Sequence, residues 1–540
     1  MDLFLKLLLF FWILISVKQI LFWIYLWQLK EYHIGRFLDH FSTEKGKSLI
    51  LNPLQDVKII LLAMAVFSSS LYFLYILLVI YFVQVILILK QILAKTIKKP
   101  KFTKKALFLT LICFVFYGLI LLLTENPIVI LFFDILTPIV VTLIILSFQP
   151  IVVFARNRIL KEAREIINQR KDLLVIGITG SFGKTTTKEF LNTILSSKFN
   201  VLCTKEHRNS EMGIVETILK DLRPEHKIFI VEMGAYKKGG IKMLSNIVAP
   251  KIGIVTGVTV QHLSLFGSLE NLLSAEGGRE LVDALPENGF IVLNGENKYC
   301  LDLYKKIDIT KKIYTEEGNK IESDIYAKEI EVSKDGLSFL AIAKDKHAMH
   351  FNVNVLGRHN LQNLLGAILV AKEVGMSLEE ISKACENIRP EQAGIVAKKG
   401  THNINIIDSS YSSNPDGAVA DLNCLNLFEG NPTSLKLRGA RKVVVMPCLI
   451  ELGTRSAQEH FKIGKKIAEV CDLAIITTKD KFEDIKKGAI ENGMKTENII
   501  FIENPQEIFH KITTFCKEGD SVLLEGRVSD KLIKLLSNEK

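Results

Sequence analysis

The eight cysteines of this 540-residue chain are scattered. None falls in a C-x-x-C pair or any paired spacing, so neither a zinc site nor a c-type haem attachment is expected. Buried reduced thiols in a cytosolic domain are the expectation. No nucleic-acid reader motif is present, although Lys and Arg outnumber Asp and Glu by 68 to 58; the basic excess therefore points to a membrane surface rather than to a nucleic acid. Acid is missing from Lys90 to Lys105, a stretch with seven lysines. The first apolar run lacks an A-x-A-like cleavage site and does not read as a signal peptide. No internal repeat and no low-complexity linker interrupts the chain.

What is present divides in two. Residues 1–155 carry long apolar runs and are expected to form a transmembrane domain of about four helices: Leu3–Trp27, Ile59–Leu89, Ala106–Leu123 and Pro127–Val153. The last two are separated only by Thr124–Asn126, a tight hairpin. The lysine-rich stretch and the arginines of "RNRILKEAR" mark the cytoplasmic side. That puts Thr124–Asn126 and residues 28–58 outside, the N-terminus inside, and the catalytic domains at the cytoplasmic face of a cell membrane. Asp134 lies inside the fourth run, either as a functional carboxylate or as a hydrated or helix-paired residue. Residues 156–170 read as a basic linker.

From residue 171 strands alternate with amphipathic helices, the pattern of an α/β fold with a parallel sheet. A central domain is expected over 171–388 and a Rossmann-like domain over 389–540, the latter with strands in "INIID", "KVVVM", "LAIIT", "NIIFI" and "SVLLE". The period-2 segment from Ile325 to Val355 adds antiparallel strands near the junction. The central domain opens with "VIGITGSFGKTTTKEF" (Val175–Phe190): a buried strand, a glycine-rich turn, a helix. Such a turn aims backbone N–H groups at a phosphate, aided by the helix dipole. In G-x-x-x-x-G-K-[ST] the first glycine would fall at Ile178; Gly177 and Gly180 flank it, so this is a variant loop. Gly180, Ser181, Gly183 and Thr186 would form the cradle, Lys184 would reach the β/γ-phosphates of ATP, and the Thr185 hydroxyl would sit on Mg²⁺.

"ITGSFGKTTT" resembles the ATP loop of the Mur ligases. "HRNSEMGIVETIL" (His207–Leu219) is similar to the substrate loop of the D-alanyl-D-alanine-adding branch of that family. "VEMG", "VTVQHLSLFGSLENL", "GRHNLQNLLGA", "IDSSYSSNPDG" and "IELG" followed by His460 continue the resemblance, in order, over residues 173–530. It implies an ATP-dependent ligase of peptidoglycan precursors that activates a carboxylate as an acyl phosphate and passes it to an amine. Lys184, Thr185 and Glu232 would hold phosphates and a first Mg²⁺, and His262 a second. Asn363 would meet adenine. Asn209 and Glu211 would face the muramyl-peptide-like acid, UDP-linked or lipid-linked. Asp408, Tyr411 and Asn414 would line the face closing on ATP and on the amino acid or dipeptide amine. A membrane-bound poly-γ-glutamate synthase-like enzyme, a ligase amidating a lipid-linked precursor, and a degenerate ligase serving as a membrane scaffold stay open as alternatives.

Departures accompany the resemblance. Many Mur ligases carry a carbamylated lysine after the metal histidine; here "SAEGGREL" (Ser274–Leu281) has none. One alignment puts Glu276 there, as a built-in carboxylate, and another puts Gly278. Ile395 stands for an arginine, Pro447 and Cys448 for G-D, and Glu525 and Arg527 flank the glycine where K-G-S is usual. A UDP-binding domain has no room between the apolar runs and the first strand.

Overall fold

The structure, a computed structural model, describes all residues except 1, 31, 33, 42, 51, 68–70, 206–207, 260–261, 319–320, 411–413, 429–438 and 538–540. It contains two compact units, Met1–Arg158 and Ile159–Lys540.

The first unit is helical: α1 Asp2–Leu29, α2 Ile34–His40, α3 Glu44–Ile50, α4 Pro53–Phe67, α5 Leu71–Leu93, α6 Lys104–Leu123, α7 Pro127–Ser147 and α8 Gln149–Gln169, which runs on into the second unit. The hairpin between α6 and α7 is closed by local chemistry, since Asn126 caps α7 through the Ile128 N–H and Pro127 occupies the first turn, where its missing N–H costs nothing. Trp12, Trp27, Tyr81, Leu8 and Ile15 are buried, while Leu107, Leu111, Leu122, Val79 and Ile86 are exposed. Helices apolar inside and outside alike suit a membrane. Five segments among the described residues are long and apolar enough to cross one: Leu3–Leu29, Gly46–Ala65, Tyr72–Leu93, Lys104–Leu123 and Pro127–Gln169.

Two expectations change here. The run Ile59–Leu89, expected as one span, falls in two helices, Pro53–Phe67 and Leu71–Leu93. That makes five candidate spans where about four were expected. Residues 28–58 were expected opposite the lysine-rich stretch, yet Gln28 exchanges two hydrogen bonds with the backbone of Lys101, at 2.9 and 2.7 Å, and the Lys105 ammonium lies 3.7 Å from the Tyr32 ring centroid. Both segments are at one end of the bundle. Asp134 is helix-paired: fully buried, it meets Lys58 of α4 and accepts from Gln19 of α1 at 2.9 Å.

Residues 156–170, read as a linker, lie largely within α8. Ile159, Leu160, Ala163, Ile166 and Ile167 recur at helical spacing, and this face packs on the core of the second unit. That unit holds two sheets. The larger has nine strands: β1 Leu174–Thr179, β2 Val201–Cys203, β3 Ile228–Glu232, β4 Ile252–Val255, β5 Phe290–Asn294, β6 Thr310–Thr315, β7 Ile325–Ser333, β8 Gly336–Ala343 and β9 Ala348–Val353. Their order is β2-β3-β1-β4-β5-β6-β7-β8-β9. All neighbours are parallel up to β7, and β7–β8 and β8–β9 are antiparallel. The period-2 segment thus extends the central sheet. β1, β3 and β4 are apolar up to their carboxyl ends, where Thr179 and Glu232 stand, because helices cover both faces. Their register, Ile178 opposite Glu232 and Thr179 opposite Val255, brings three carboxyl ends together, where such sheets bind ligands.

The smaller sheet has β10 Val396–Lys399, β11 Asn405–Ser409, β12 Lys442–Met446, β13 Leu473–Ile476, β14 Ile499–Phe501 and β15 Ser521–Glu525, ordered β10-β11-β15-β12-β13-β14. The five predicted strands are parallel neighbours, and β10 joins antiparallel at the edge.

Candidate active site

Between β1 and the helix Lys184–Ser196 the chain makes a tight loop. Gly180 has φ +141°, and a Cβ there would lie 2.2 Å from Thr256 Oγ1; Gly183 has φ +72° and caps the helix. Only glycine fits both positions. The loop after β4 braces this one: Ser181 N–H donates to Gly257 O at 2.8 Å, and the Thr256 hydroxyl bonds the carbonyls of Thr179 and Phe182. Lys184, Thr185 and Thr186 open the helix with no side-chain cap on its first N–H groups, which leaves them directed at the loop's mouth. The Lys184 ammonium donates to Gly180 O within the loop.

Beside the loop lies a buried carboxylate. Glu276 accepts from Ser181 Oγ at 2.8 Å and has His262 Nδ1 at 3.1 Å. Burial pushes its carboxyl up, but the His262 contact, the Lys184 ammonium and the Ser181 hydroxyl outweigh burial and hold it below the usual carboxylate range. Gly278, the other alignment, has φ +88° and caps the helix Arg279–Val282; it is Glu276 that reaches the phosphate loop. His262 has φ +64°, and its Nε2 is 3.6 Å from Glu451 of the smaller-sheet domain.

At the end of β3 Glu232 accepts from Asn209 Nδ2 at 3.0 Å, and its backbone N–H donates to Thr204 Oγ1 at 3.0 Å. Lys188, fully buried under the loop helix, is 3.6 Å from Glu232 and 2.9 Å from Glu189, and donates to Thr204 O. Burial pulls its pKa down, but the two glutamates prevail and the net direction is up.

The remaining predicted residues are placed less tellingly. Asn363 takes a 3.3 Å hydrogen bond from the Thr187 hydroxyl of the phosphate-loop helix and donates to Asn360 of its own helix at 3.0 Å. Glu211 starts the helix Glu211–Asp221. Asp408, at the end of β11, accepts from Ser410 N and Oγ and is 3.7 Å from Lys398. Asn414 is a helix cap, accepting from Gly417 N–H at 2.9 Å. Tyr411 lies outside the described residues. His460 is buried, with Nε2 accepting from Leu449 N–H at 2.9 Å and Nδ1 donating to Ser456 O at 2.6 Å.

Sequence reasoning missed Lys188 and Glu451. The first carried a signal, a lysine on the helix face that also buries Thr187, Leu191 and Leu195. The second lies in the "IELG" segment noted in the sequence, but its contact with His262 depends on another domain. Among the described residues no three of His, Cys, Asp and Glu converge into a closed metal site. The donors present (the Thr185 hydroxyl, two carboxylates and one imidazole) suit a hard cation whose shell is completed by phosphate oxygens and water. A buried carboxylate held ionised at the loop fits that group.

Residues 178–371 match the family described as Mur ligase middle domain, and residues 395–528 match Mur ligase, glutamate ligase domain. The UDP-N-acetylmuramoyl-tripeptide--D-alanyl-D-alanine ligase of Escherichia coli (strain K12) is 28% identical over 299 residues, 55% of this chain and 63% of that protein. The Synechocystis protein of the same name is 29% identical over 361 residues, 66% of this chain and 72% of that one. The chain thus spans a little under two thirds of the first relative's length. MurF from Acinetobacter baumannii superposes with a TM-score of 0.60 at 24% identity, over 70% of this chain and 78% of that one. MurF ligase from Thermotoga maritima, solved in complex with ADP, gives 0.59 at 23%, over 70% and 83%. At those identities the likeness is one of fold.

Proposed function

Because this chain belongs to the Mur ligase family, whose members are ATP-dependent amide-forming ligases, we propose that it is a MurF-like ligase of peptidoglycan precursor synthesis. One observation carries the assignment of the reacting centre: a buried Glu276 bonded to both the phosphate loop and His262. The alternatives have no comparable support, and an intact loop with Lys184 and Glu232 argues against a scaffold without catalysis.

A carboxylate is a poor electrophile. Its oxygen attacks the γ-phosphorus of ATP, the bond to the β–γ bridging oxygen breaks, and ADP leaves. The amine then attacks the acyl carbon, phosphate departs, and the amine loses its proton to solvent. The loop N–H groups and Lys184 orient the phosphates and meet the charge as it moves. Divalent cations, one held by Thr185 and Glu232 and a second by His262 with Glu276, would neutralise further charge there. Asn209 fixes the Glu232 carboxylate, and Ser181 fixes Glu276. Since Glu276 supplies its own carboxylate, activity is independent of CO₂.

The amine is an amino acid or dipeptide and the acid a muramyl peptide. Five helices long and apolar enough to span a bilayer support a membrane location. With five passages and the lysine-rich end of the bundle cytoplasmic, the N-terminus is outside. A lipid-linked acid confined to the same bilayer gains effective concentration at the site.

ADP release by the full-length protein in lipid nanodiscs tests this, with D-alanyl-D-alanine and either UDP-linked or lipid-linked muramyl tripeptide. Turnover with either acid, lost about 10²–10³-fold in Lys184→Ala, supports the ligase. Faster turnover on the UDP-linked acid refutes the membrane-substrate reading, and no turnover with any acid–amine pair refutes the ligase.

A further inference from the structure

The loop after β12 ends with its back to the smaller sheet and its tip on the central domain. Its root is fixed twice: Cys448 N–H donates to Thr478 Oγ1 at 2.7 Å, and Leu449 N–H donates to the buried His460 at 2.9 Å. Then the backbone turns sharply. Glu451 has φ +68° and Gly453 φ +56°. For glutamate the left-handed region is unfavourable, and such outliers persist where surrounding contacts hold them, commonly at functional sites. What the turn achieves is a two-point contact with the central domain. Glu451 O accepts from Ser264 N–H at 3.4 Å, and the Glu451 carboxylate lies 3.6 Å from His262 Nε2. His262, itself at φ +64°, therefore has a carboxylate at each ring nitrogen: Glu276 of its own domain at Nδ1 and Glu451 of the other domain at Nε2.

The two carboxylates are not equivalent. Glu276 is buried and also bonded to Ser181 of the phosphate loop, so the Nδ1 side of the ring is the one linked to that loop. Glu451 is on the far side and touches no part of that loop among the contacts of the described residues. A histidine that binds a cation through one nitrogen is oriented by an acceptor at the other.

We propose that Glu451 is a positioning residue for His262, delivered by the C-terminal domain, so that the imidazole is held in its cation-binding orientation only while the two domains are together. This rests on His262 binding the cation, as in the ligase reading above. It adds that the centre is assembled across the domain interface: ring orientation, and with it cation affinity, is coupled to closure.

The test uses the full-length protein with Mn²⁺ as the probe, its binding followed by electron paramagnetic resonance in the presence of ADP, alongside ADP release and ADP affinity by calorimetry. In Glu451→Ala, Mn²⁺ affinity and kcat each fall about 10-fold, while ADP affinity and the unfolding midpoint stay at wild-type values. Glu451→Gln, which keeps the side chain's length and an oxygen facing the ring, recovers most of the loss. Unchanged Mn²⁺ affinity in Glu451→Ala overturns the proposal, as does a loss confined to KM for the amine, which would make Glu451 a substrate contact. If Glu451→Ala lowers the unfolding midpoint, Glu451→Gln alone decides, and a Gln variant as poor as the Ala variant overturns it. Absence of ADP release in the wild type would defeat the ligase reading, yet the Mn²⁺ measurement would still decide the role of Glu451.

Discussion

Two lysines among the described residues are fully buried, Lys58 in the helical unit and Lys188 in the ligase unit, and each faces a carboxylate. Their surroundings differ. Lys58 and Asp134 are buried in the helical unit, with the Lys58 ammonium 5.4 Å from the Tyr81 ring centroid and Gln19 as a further polar partner; the group joins α1, α4 and α7. Lys188 is packed beneath a glycine-rich loop, between Glu189 and Glu232, with the carbonyl of Thr204 as a third partner. Desolvating an ion costs several kcal/mol in either place, and the pair returns that only with good geometry. Burial of a pair is therefore no mark of chemistry. What separates them is convergence: Glu232 also meets Asn209 and Thr204 at the carboxyl end of β3, beside the loop, whereas Asp134 meets only helix neighbours.

The largest expected effect follows from the helical pair. Lys58→Met leaves a buried carboxylate without its cation, and the helical unit should lose about 3–5 kcal/mol. Lys58→Met with Asp134→Leu should recover most of this, as apolar replacement of both partners commonly does. Thermal unfolding in detergent reads both. ADP release per folded molecule should be unchanged in each. A folded double variant without turnover would show that the bundle's ion pair takes part in the reaction, and the comparison would fail.

Lys188 should behave in the opposite way. Lys188→Met removes the cation that holds Glu232 in place, so the Mg²⁺ concentration for half-maximal ADP release should rise about 10–100-fold, with Lys188→Arg partly restoring it. A variant that merely unfolds at lower temperature, with its Mg²⁺ titration unmoved, would put Lys188 in the same class as Lys58.

How much of this was legible in the sequence follows from how local each requirement is. The phosphate loop was legible because Gly180, Gly183, Lys184 and Thr185 are contiguous, and each meets a need visible in the chain itself: positive φ, a helix start, a cation. Glu276 was half legible. Two alignments competed until the fold gave Gly278 to a helix start and Glu276 to Ser181 and His262. The C-terminal residues were least legible, because Asn414 satisfies a local helix cap that any N-P-D-G segment can make. The split of Ile59–Leu89 was obscured by apolar residues on both sides of three serines, which a hydropathy average passes over. Glu451 was legible only as part of "IELG", not as a neighbour of His262: its partner is about 190 residues away, and only the packing of two sheets brings them together.

The smallest effect concerns a buried group that is not an ion. His460 accepts from Leu449 N–H through Nε2 and donates from Nδ1 to Ser456 O, which uses one tautomer of the neutral ring fully. Protonation would place a second N–H against that of Leu449. Burial, the main cause, holds its pKa below the ordinary value of 6.5. A group depressed in the folded state favours folding fully above its unfolded pKa. That contribution declines as pH falls from about 6.5 towards the folded pKa, by up to about 1.4 kcal/mol per pH unit, because the unfolded chain binds the proton first. The ligase unit should accordingly unfold at lower temperature at pH 5.5 than at pH 7. In His460→Asn the loss between those two values should be smaller, although the variant starts lower at pH 7. Parallel declines in the two proteins would show that another group titrates. A smaller decline in the variant would set His460 apart from both lysines, as a buried polar residue that steadies the loop carrying Glu451 by remaining uncharged.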